Sequence, residues 1–204
     1  MGYSSPMTAG NRSIDGQLLI TDRLRIRSAH VSDAPLIHRL WIDPRVTTFV
    51  GFPSGIPTSE AEIEVQIKRD WERPLKQLLI VERLADGEPV GEVKLGEPGQ
   101  DGISEPDIKL FPDHWAQGYG TELWGTMIAH LFGQDGCKIV QGTPNVANTA
   151  SIRMMERCGM TRMGEGRFVP SGPLRDSMTD VPHYVYQITR KAWTERGATP
   201  VADA

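Results

Sequence analysis

One stretch constrains this chain more than any other: Phe111-Pro112-Asp113-His114-Trp115-Ala116-Gln117-Gly118-Tyr119-Gly120-Thr121-Glu122, with the segment that follows it. Asp107-Ile108-Lys109-Leu110 before it reads as the end of a strand. Pro112 stops that strand, because proline has no N–H to give a ladder. After it, Leu123, Met127 and Leu131 recur every four residues, and Trp124, Ile128 and Phe132 do the same beside them. That is a broad apolar stripe at helical period, and Gly133 and Gly136 punctuate its end. The order is therefore strand, glycine-bearing turn, helix.

A helix N-terminus leaves its first N–H groups unpaired and carries partial positive charge. Gly118 and Gly120 are expected to remove side chains that would hold an anion off, and Thr121 adds a hydroxyl donor. The turn predicts a phosphate cradle; a glycine turn with no ligand is the plainer alternative. A dinucleotide fingerprint would need glycine at 123, where leucine stands, and an acidic residue about 20 positions on, which 138–143 lacks. A P-loop would close on Gly-Lys-Ser/Thr; here Gly120-Thr121-Glu122 closes the turn without lysine.

The stretch resembles motif A of the GNAT N-acetyltransferases, R/Q-x-x-G-x-G/A, whose amides hold the pyrophosphate of coenzyme A. Trp115 fills the arginine or glutamine position, as in the ribosomal-protein alanine acetyltransferase (RimJ/RimL-like) branch, where W-G-x-G-Y-A-T-E is usual. Thr21-Asp22-Arg23-Leu24-Arg25-Ile26-Arg27 also resembles that branch's opening, although salt bridges on a strand face explain the arginines equally. Asn145 to Met160 resembles the second signature, N-x-x-S followed by a helix and G-F, with Met160 in place of phenylalanine. The resemblance covers residues 18–190. It implies a mixed α/β fold: a central, mostly antiparallel sheet with splayed central strands, flanked by helices.

Other segments fit one domain. The 204 residues suffice for a single core, so 18–192 is taken as the domain, 1–17 as a mobile leader and 193–204 as a polar tail. Ser32 or Asp33 is expected to cap a helix ended by Asp43-Pro44, residues 45–57 to form a loop, and Ser59 with Glu62 to make a capping box. Ile63, Ile67 and Trp71 should form that helix's apolar seam. Phe49, Phe52 and Trp71 suit either core packing or acceptor contact. Leu78 to Val81 and Val90 to Leu95 read as a hairpin around Asp86-Gly87, Ser104 to Leu110 as the central strand, and 163–169 and 183–188 as later strands.

A net charge of −4 gives no general basic footprint for nucleic acid. No apolar run approaches membrane-spanning length. Cys137 and Cys158 lack metal-ligand spacing, so no metal is expected, and buried free thiols point to the cytoplasm.

The resemblance implies acetyl-CoA as cosubstrate and an amine acceptor, from a small molecule or a peptide, that attacks the thioester directly. Carrier contacts are then expected from Ile108, Lys109 and Leu110, from Trp115, Ala116, Gln117, Gly118, Tyr119, Gly120 and Thr121, and from Asn148 and Ser151. The backbone N–H of Lys109 or Leu110 would polarise the carbonyl. Glu105 is the first candidate base, and Asp107, placed on the same strand face by the two-residue period, the second. The tyrosine acid of many relatives is replaced by Met155, which leaves Ser151 to meet the sulfur. His183 on the last strand suits a structural role or an acceptor contact. The resemblance is compatible with a homodimer, which no stretch specifies. Two rivals remain: a non-catalytic CoA-binding sensor or scaffold, and a nucleotide-phosphate binder.

Overall fold

The computed structural model describes residues 17–197. Its first half is a meander: β1 (Gln17–Ile20), β2 (Leu24–Ser28), α1 (Ala34–Trp41), α2 (Pro44–Thr47), α3 (Glu60–Asp70), β3 (Leu79–Arg83) and β4 (Pro89–Lys94). Then come β5 (Ile103–Ser104), β6 (Asp107–Leu110), α4 (Tyr119–Gly133), β7 (Ile139–Gly142), α5 (Thr149–Arg157), β8 (Thr161–Phe168), β9 (Val181–Thr189) and α6 (Arg190–Arg196).

The strands form two sheets, in the orders β1-β2-β3-β4-β6 and β5-β7-β9-β8. The expected central strand is thus divided between them. β5 pairs parallel with β7, and after Glu105-Pro106 the chain pairs antiparallel with β4 as β6. Pro106 supplies a reason for the break, since its nitrogen cannot donate to a ladder.

Strand alternation sorts the core. Leu79 and Val81 face a large cluster with Leu123, Trp124, Met127, Ile128, Leu131 and Phe132 of α4. Leu78 and Ile80 face a smaller one made by Ile37, Leu40 and Trp41 of α1 and Ile63 and Ile67 of α3. The helical stripe expected after the turn is therefore wholly buried.

The Ser59–Glu62 capping box is present, and Asn148 caps α5 by accepting from the Ser151 N–H at 3.0 Å. Asp43, expected to end a helix, also starts one: its carboxylate accepts from the Arg45 N–H at 2.9 Å and caps α2 inside the expected loop. His30 caps the short 3-10 turn before α1, whereas Asp33 makes no side-chain cap to α1. Trp71 is 51% exposed rather than in the seam. The tail expected from 193 overlaps α6, whose Trp193 packs on the large core. The expected leader up to residue 16 lies outside the described residues, and Gln17 already belongs to β1.

Candidate functional site

The division after Glu105 opens a gap along one edge of β6. Phe111 donates its N–H to the Val90 carbonyl at 3.0 Å, and the register pairs Lys109 with Glu92 and Asp107 with Lys94. Amides alternate along a strand, so those of Asp107, Lys109 and Phe111 serve β4. Those of Ile108 and Leu110 point the other way, and β6 ends its sheet on that side. Of the two expected donors, Lys109 or Leu110, the ladder turns Lys109 toward β4 and leaves Leu110, with Ile108, on the gap side. The Trp115 indole N–H donates to the Leu110 carbonyl at 2.8 Å, which places that peptide edge toward the gap and lays the ring at its end.

The α4 N-terminus lies just beyond this edge. Ala116 and Gly118 have φ of 58° and 80°, both left-handed. A non-glycine residue there stores strain of about 1–3 kcal/mol, and alternating left-handed residues curl successive N–H groups into an anion-binding concavity. The first intrahelical bond runs from the Glu122 N–H to the Gly118 carbonyl, so the amides of Tyr119, Gly120 and Thr121 precede it. The two glycines have different reasons. Gly118 is the left-handed N-cap, whereas a Cβ on Gly120 would lie 3.2 Å from the Met154 thioether of α5. Gly120 thus also answers to helix packing.

This turn is anchored from far away in sequence. The Arg23 guanidinium donates to the Gln117 carbonyl at 2.9 Å and to the Glu122 carboxylate at 2.7 Å, and lies 4.6 Å from the Tyr119 ring centroid. Glu122 also accepts from the Thr21 hydroxyl and from the Arg23 N–H. Burial raises the Glu122 pKa, but these donors outweigh it and hold the carboxyl below its usual value. Arg23 and Glu122 carry no sequence signal as a pair, since 99 positions separate them, and only the resemblance of the Thr-Asp-Arg opening hinted at a role. Arg25 and Arg27 do what strand-face arginines were expected to do, pairing with Glu82.

Other candidates separate. Glu105 sits at the closed end of the gap, exposed, its carboxylate accepting from the Gln141 side-chain amide, whose oxygen in turn accepts from Gln187 at 2.6 Å. Asp107 does not share its strand face, because the chain breaks between them; it pairs instead with the Lys109 ammonium. Burial works against its charge, but Lys109 prevails and holds the Asp107 carboxyl below its usual range. It is a poor proton acceptor near neutral pH. Asn148 spends its oxygen on the cap and keeps its amide nitrogen. Ser151 lies in the first turn of α5. Met155 is buried, its thioether against Gly142 of β7. The His183 Nδ1 lies 3.1 Å from the Val181 carbonyl. A carbonyl only accepts, so Nδ1 is the donor in this pair.

The structure also holds a hollow of about 520 Å³. Ile42 and residues 53–58 form one wall, and Asp176, Ser177, Met178 and Thr179 the other. The Thr179 N–H donates to the Gly51 carbonyl at 2.8 Å, tying the two walls together. Phe49 and Phe52 are half-buried on the same loop. Among the described residues no group of three or more His, Cys, Asp or Glu is placed to hold a metal.

The family model for the acetyltransferase (GNAT) domain matches residues 23–161, well over half the chain. The chain belongs to the GNAT acetyltransferase family. An uncharacterised N-acetyltransferase, p20, of Bacillus licheniformis is 24% identical over 151 residues, 72% of this chain and 84% of that protein. The spermidine N-acetyltransferase of Vibrio cholerae, solved with CoA and spermine, has a TM-score of 0.67 at 18% identity, covering 84% of this chain and 98% of that one. AAC(6')-Ib, solved with ribostamycin and coenzyme A, has a TM-score of 0.63 at 19% identity, covering 87% and 99%. The likenesses to solved structures establish the shared fold.

Proposed function

We propose that the protein transfers the acetyl group of acetyl-CoA to a primary amine that attacks the thioester directly. The observation that carries this reading is the pair of β6 amides, Ile108 and Leu110, turned into a gap whose open end is capped by the strained turn before α4. The residues present fit the carrier: the N–H groups of Ala116 to Thr121 would hold its diphosphate, with the Arg23 guanidinium nearby, and the gap edge and Asn148 amide its amide-bearing arm. The bound carrier supplies an activated acyl thioester. The Ile108 and Leu110 N–H groups would bond that carbonyl and the neighbouring arm, stabilising oxygen charge as it develops. Glu105, at the closed end, would take the amine's proton directly or through a water. The Ser151 hydroxyl would meet the leaving sulfur, whose alkyl thiol pKa of about 8.5 makes it an adequate leaving group. The hollow beside Asp176 would receive the acceptor.

The spermidine acetyltransferase named above makes a polyamine a rational first acceptor, and AAC(6')-Ib does the same for an aminoglycoside. Trp115 at the head of the turn supports the ribosomal-protein acetyltransferase branch, hence a peptide N-terminus as the third. One domain over 18–192, a cytoplasmic location and a homodimer complete the proposal; the two free buried cysteines are in keeping with a reducing compartment. Thiol release from acetyl-CoA, measured with spermidine, ribostamycin and an alanine-ended peptide, tests it. Turnover with any of them is expected. Tight acetyl-CoA binding without turnover on a broad amine panel would favour the CoA-binding sensor, which Met155 supports by lacking a proton to give.

A further inference from the structure

β6 is four residues long and is paired on one side only. Its register nevertheless decides the chemistry proposed above. A one-residue slip turns a strand over, exchanging both its side-chain faces and its amide directions. Lys109 would then offer its N–H to the gap, and the Ile108 and Leu110 amides would serve β4. The apolar pattern restrains this weakly, because Ile108 and Leu110 are only partly buried against the large core, and the opposite face of the sheet has an apolar cluster of its own.

What restrains it strongly is charge. On the face toward α1, Lys109 is 9% exposed and Glu92, directly across the ladder, 1%. The ammonium donates to Glu92 Oε1 at 3.2 Å and to Asp107, and the Trp41 indole N–H donates to the same Oε1 at 2.9 Å. Glu92 Oε2 is buried with no partner among the described residues. A buried ion pair that leaves a carboxylate oxygen unsatisfied is a poor source of stability. Fixing a register is the best-attested reason to keep one. Turned over, β6 would carry the Lys109 ammonium into the apolar cluster under α4 and leave Glu92 uncompensated.

We propose that the Glu92–Lys109 pair is a register lock, and that Lys109 is a positioning residue which keeps the Ile108 and Leu110 amides aimed into the gap. The proposal rests on the transfer reaction inferred above only for its kinetic consequence; the register itself can be read without any substrate.

The test compares the full-length wild type with E92L/K109M by amide hydrogen exchange, thermal melting and acetyl-CoA kinetics. In the wild type the Lys109 amide should be protected and those of Ile108 and Leu110 should exchange freely. In the double variant β6 reads Asp-Ile-Met-Leu, and the half-exposed Asp107 at its first position is the one charge left to select a face. Its melting temperature should stay at or above that of the wild type, as buried ion pairs replaced by apolar residues often allow. Protection should spread to Ile108 and Leu110, and kcat with spermidine, or with whichever acceptor turns over, should fall about tenfold or more. K109R, which keeps the charge, should hold the wild-type exchange pattern. If E92L/K109M does not fold, E92Q/K109M gives the same readings. An exchange pattern and kcat unchanged by losing both charges would overturn the lock, as would a wild type with Lys109 unprotected. Redistributed protection in a protein that acetylates no amine would uphold the lock and refute the proposed function instead.

Discussion

Replacing Gly118 by valine should disable carrier binding while leaving the fold in place. Gly118 has φ of 80° and forms the N-cap of α4. A residue with a Cβ meets a penalty of about 1–2 kcal/mol in the left-handed region, and a β-branched one sits at the upper end. The new Cβ would also lie 3.2 Å from the Arg23 guanidinium, which holds the Gln117 carbonyl at 2.9 Å. Either the turn leaves the left-handed region or Arg23 leaves its acceptors, and both redirect the amides of 116–121. A loss of about 1.4–2.8 kcal/mol in binding corresponds to roughly ten- to a hundredfold in affinity. The melting temperature should fall by only about 3–8 °C, at about 2–4 °C per kcal/mol for a chain of this size. Isothermal titration with CoA, beside a thermal melt, measures both. Gly125→Ala is the control: it lies in the same helix, a Cβ there meets nothing within 4 Å, and it should stabilise by about 0.5–1 kcal/mol. If the Gly118 variant binds CoA as tightly as the wild type, the turn does not hold the carrier and the site has been misread.

Three more expectations follow from the same geometry. The Glu122 carboxyl has its pKa lowered on folding, so its stabilisation is present above the unfolded value of about 4.3 and is lost as pH falls through the lower folded value. Urea titrations from about pH 6 to about pH 3 should therefore show a steeper acid loss in the wild type than in E122Q, and parallel curves would refute the assignment. Trp115→Phe removes the indole bond to the Leu110 carbonyl, worth about 0.5–1.5 kcal/mol. It should weaken CoA binding several-fold and abolish most of the fluorescence change on binding; an undiminished signal would place the reporting tryptophan elsewhere. Burial pushes the Cys158 thiol up to about 12. Cys158 should resist alkylation at neutral pH in the folded protein and react only on unfolding, as mass spectrometry of the labelled chain would show.

The strand–turn–helix around Gly118, the α4 stripe, the Ser59 box and the Asn148 cap were legible because each is set by residues a few positions apart. What escaped was set by distance. Pro106 marks a point where a ladder is interrupted, but not that two sheets divide there, since the parting depends on β4 and β7, which lie on opposite sides in sequence. The sequence left Lys109 and Leu110 open as amide donors, because amide direction is a property of the ladder with β4 and not of β6 itself. Asp107 was paired with Glu105 by a two-residue period that the break cancels. The contact that Gly120 makes room for, with Met154 of α5, is set by helix packing and has no local signal. Arg23 and Glu122 look like ordinary surface charges until the fold brings them together.

The clamp between the first hairpin and the start of α4 also bears on how the protein matures. Arg23 must find Glu122 across a span of 99 residues, a contact of the kind that forms slowly because so much intervening chain must first be ordered. Until it does, the turn before α4 lacks its braces, so on the proposed function a nascent or partly unfolded chain should be unable to capture CoA, and bound CoA would report that the two ends of this span have met.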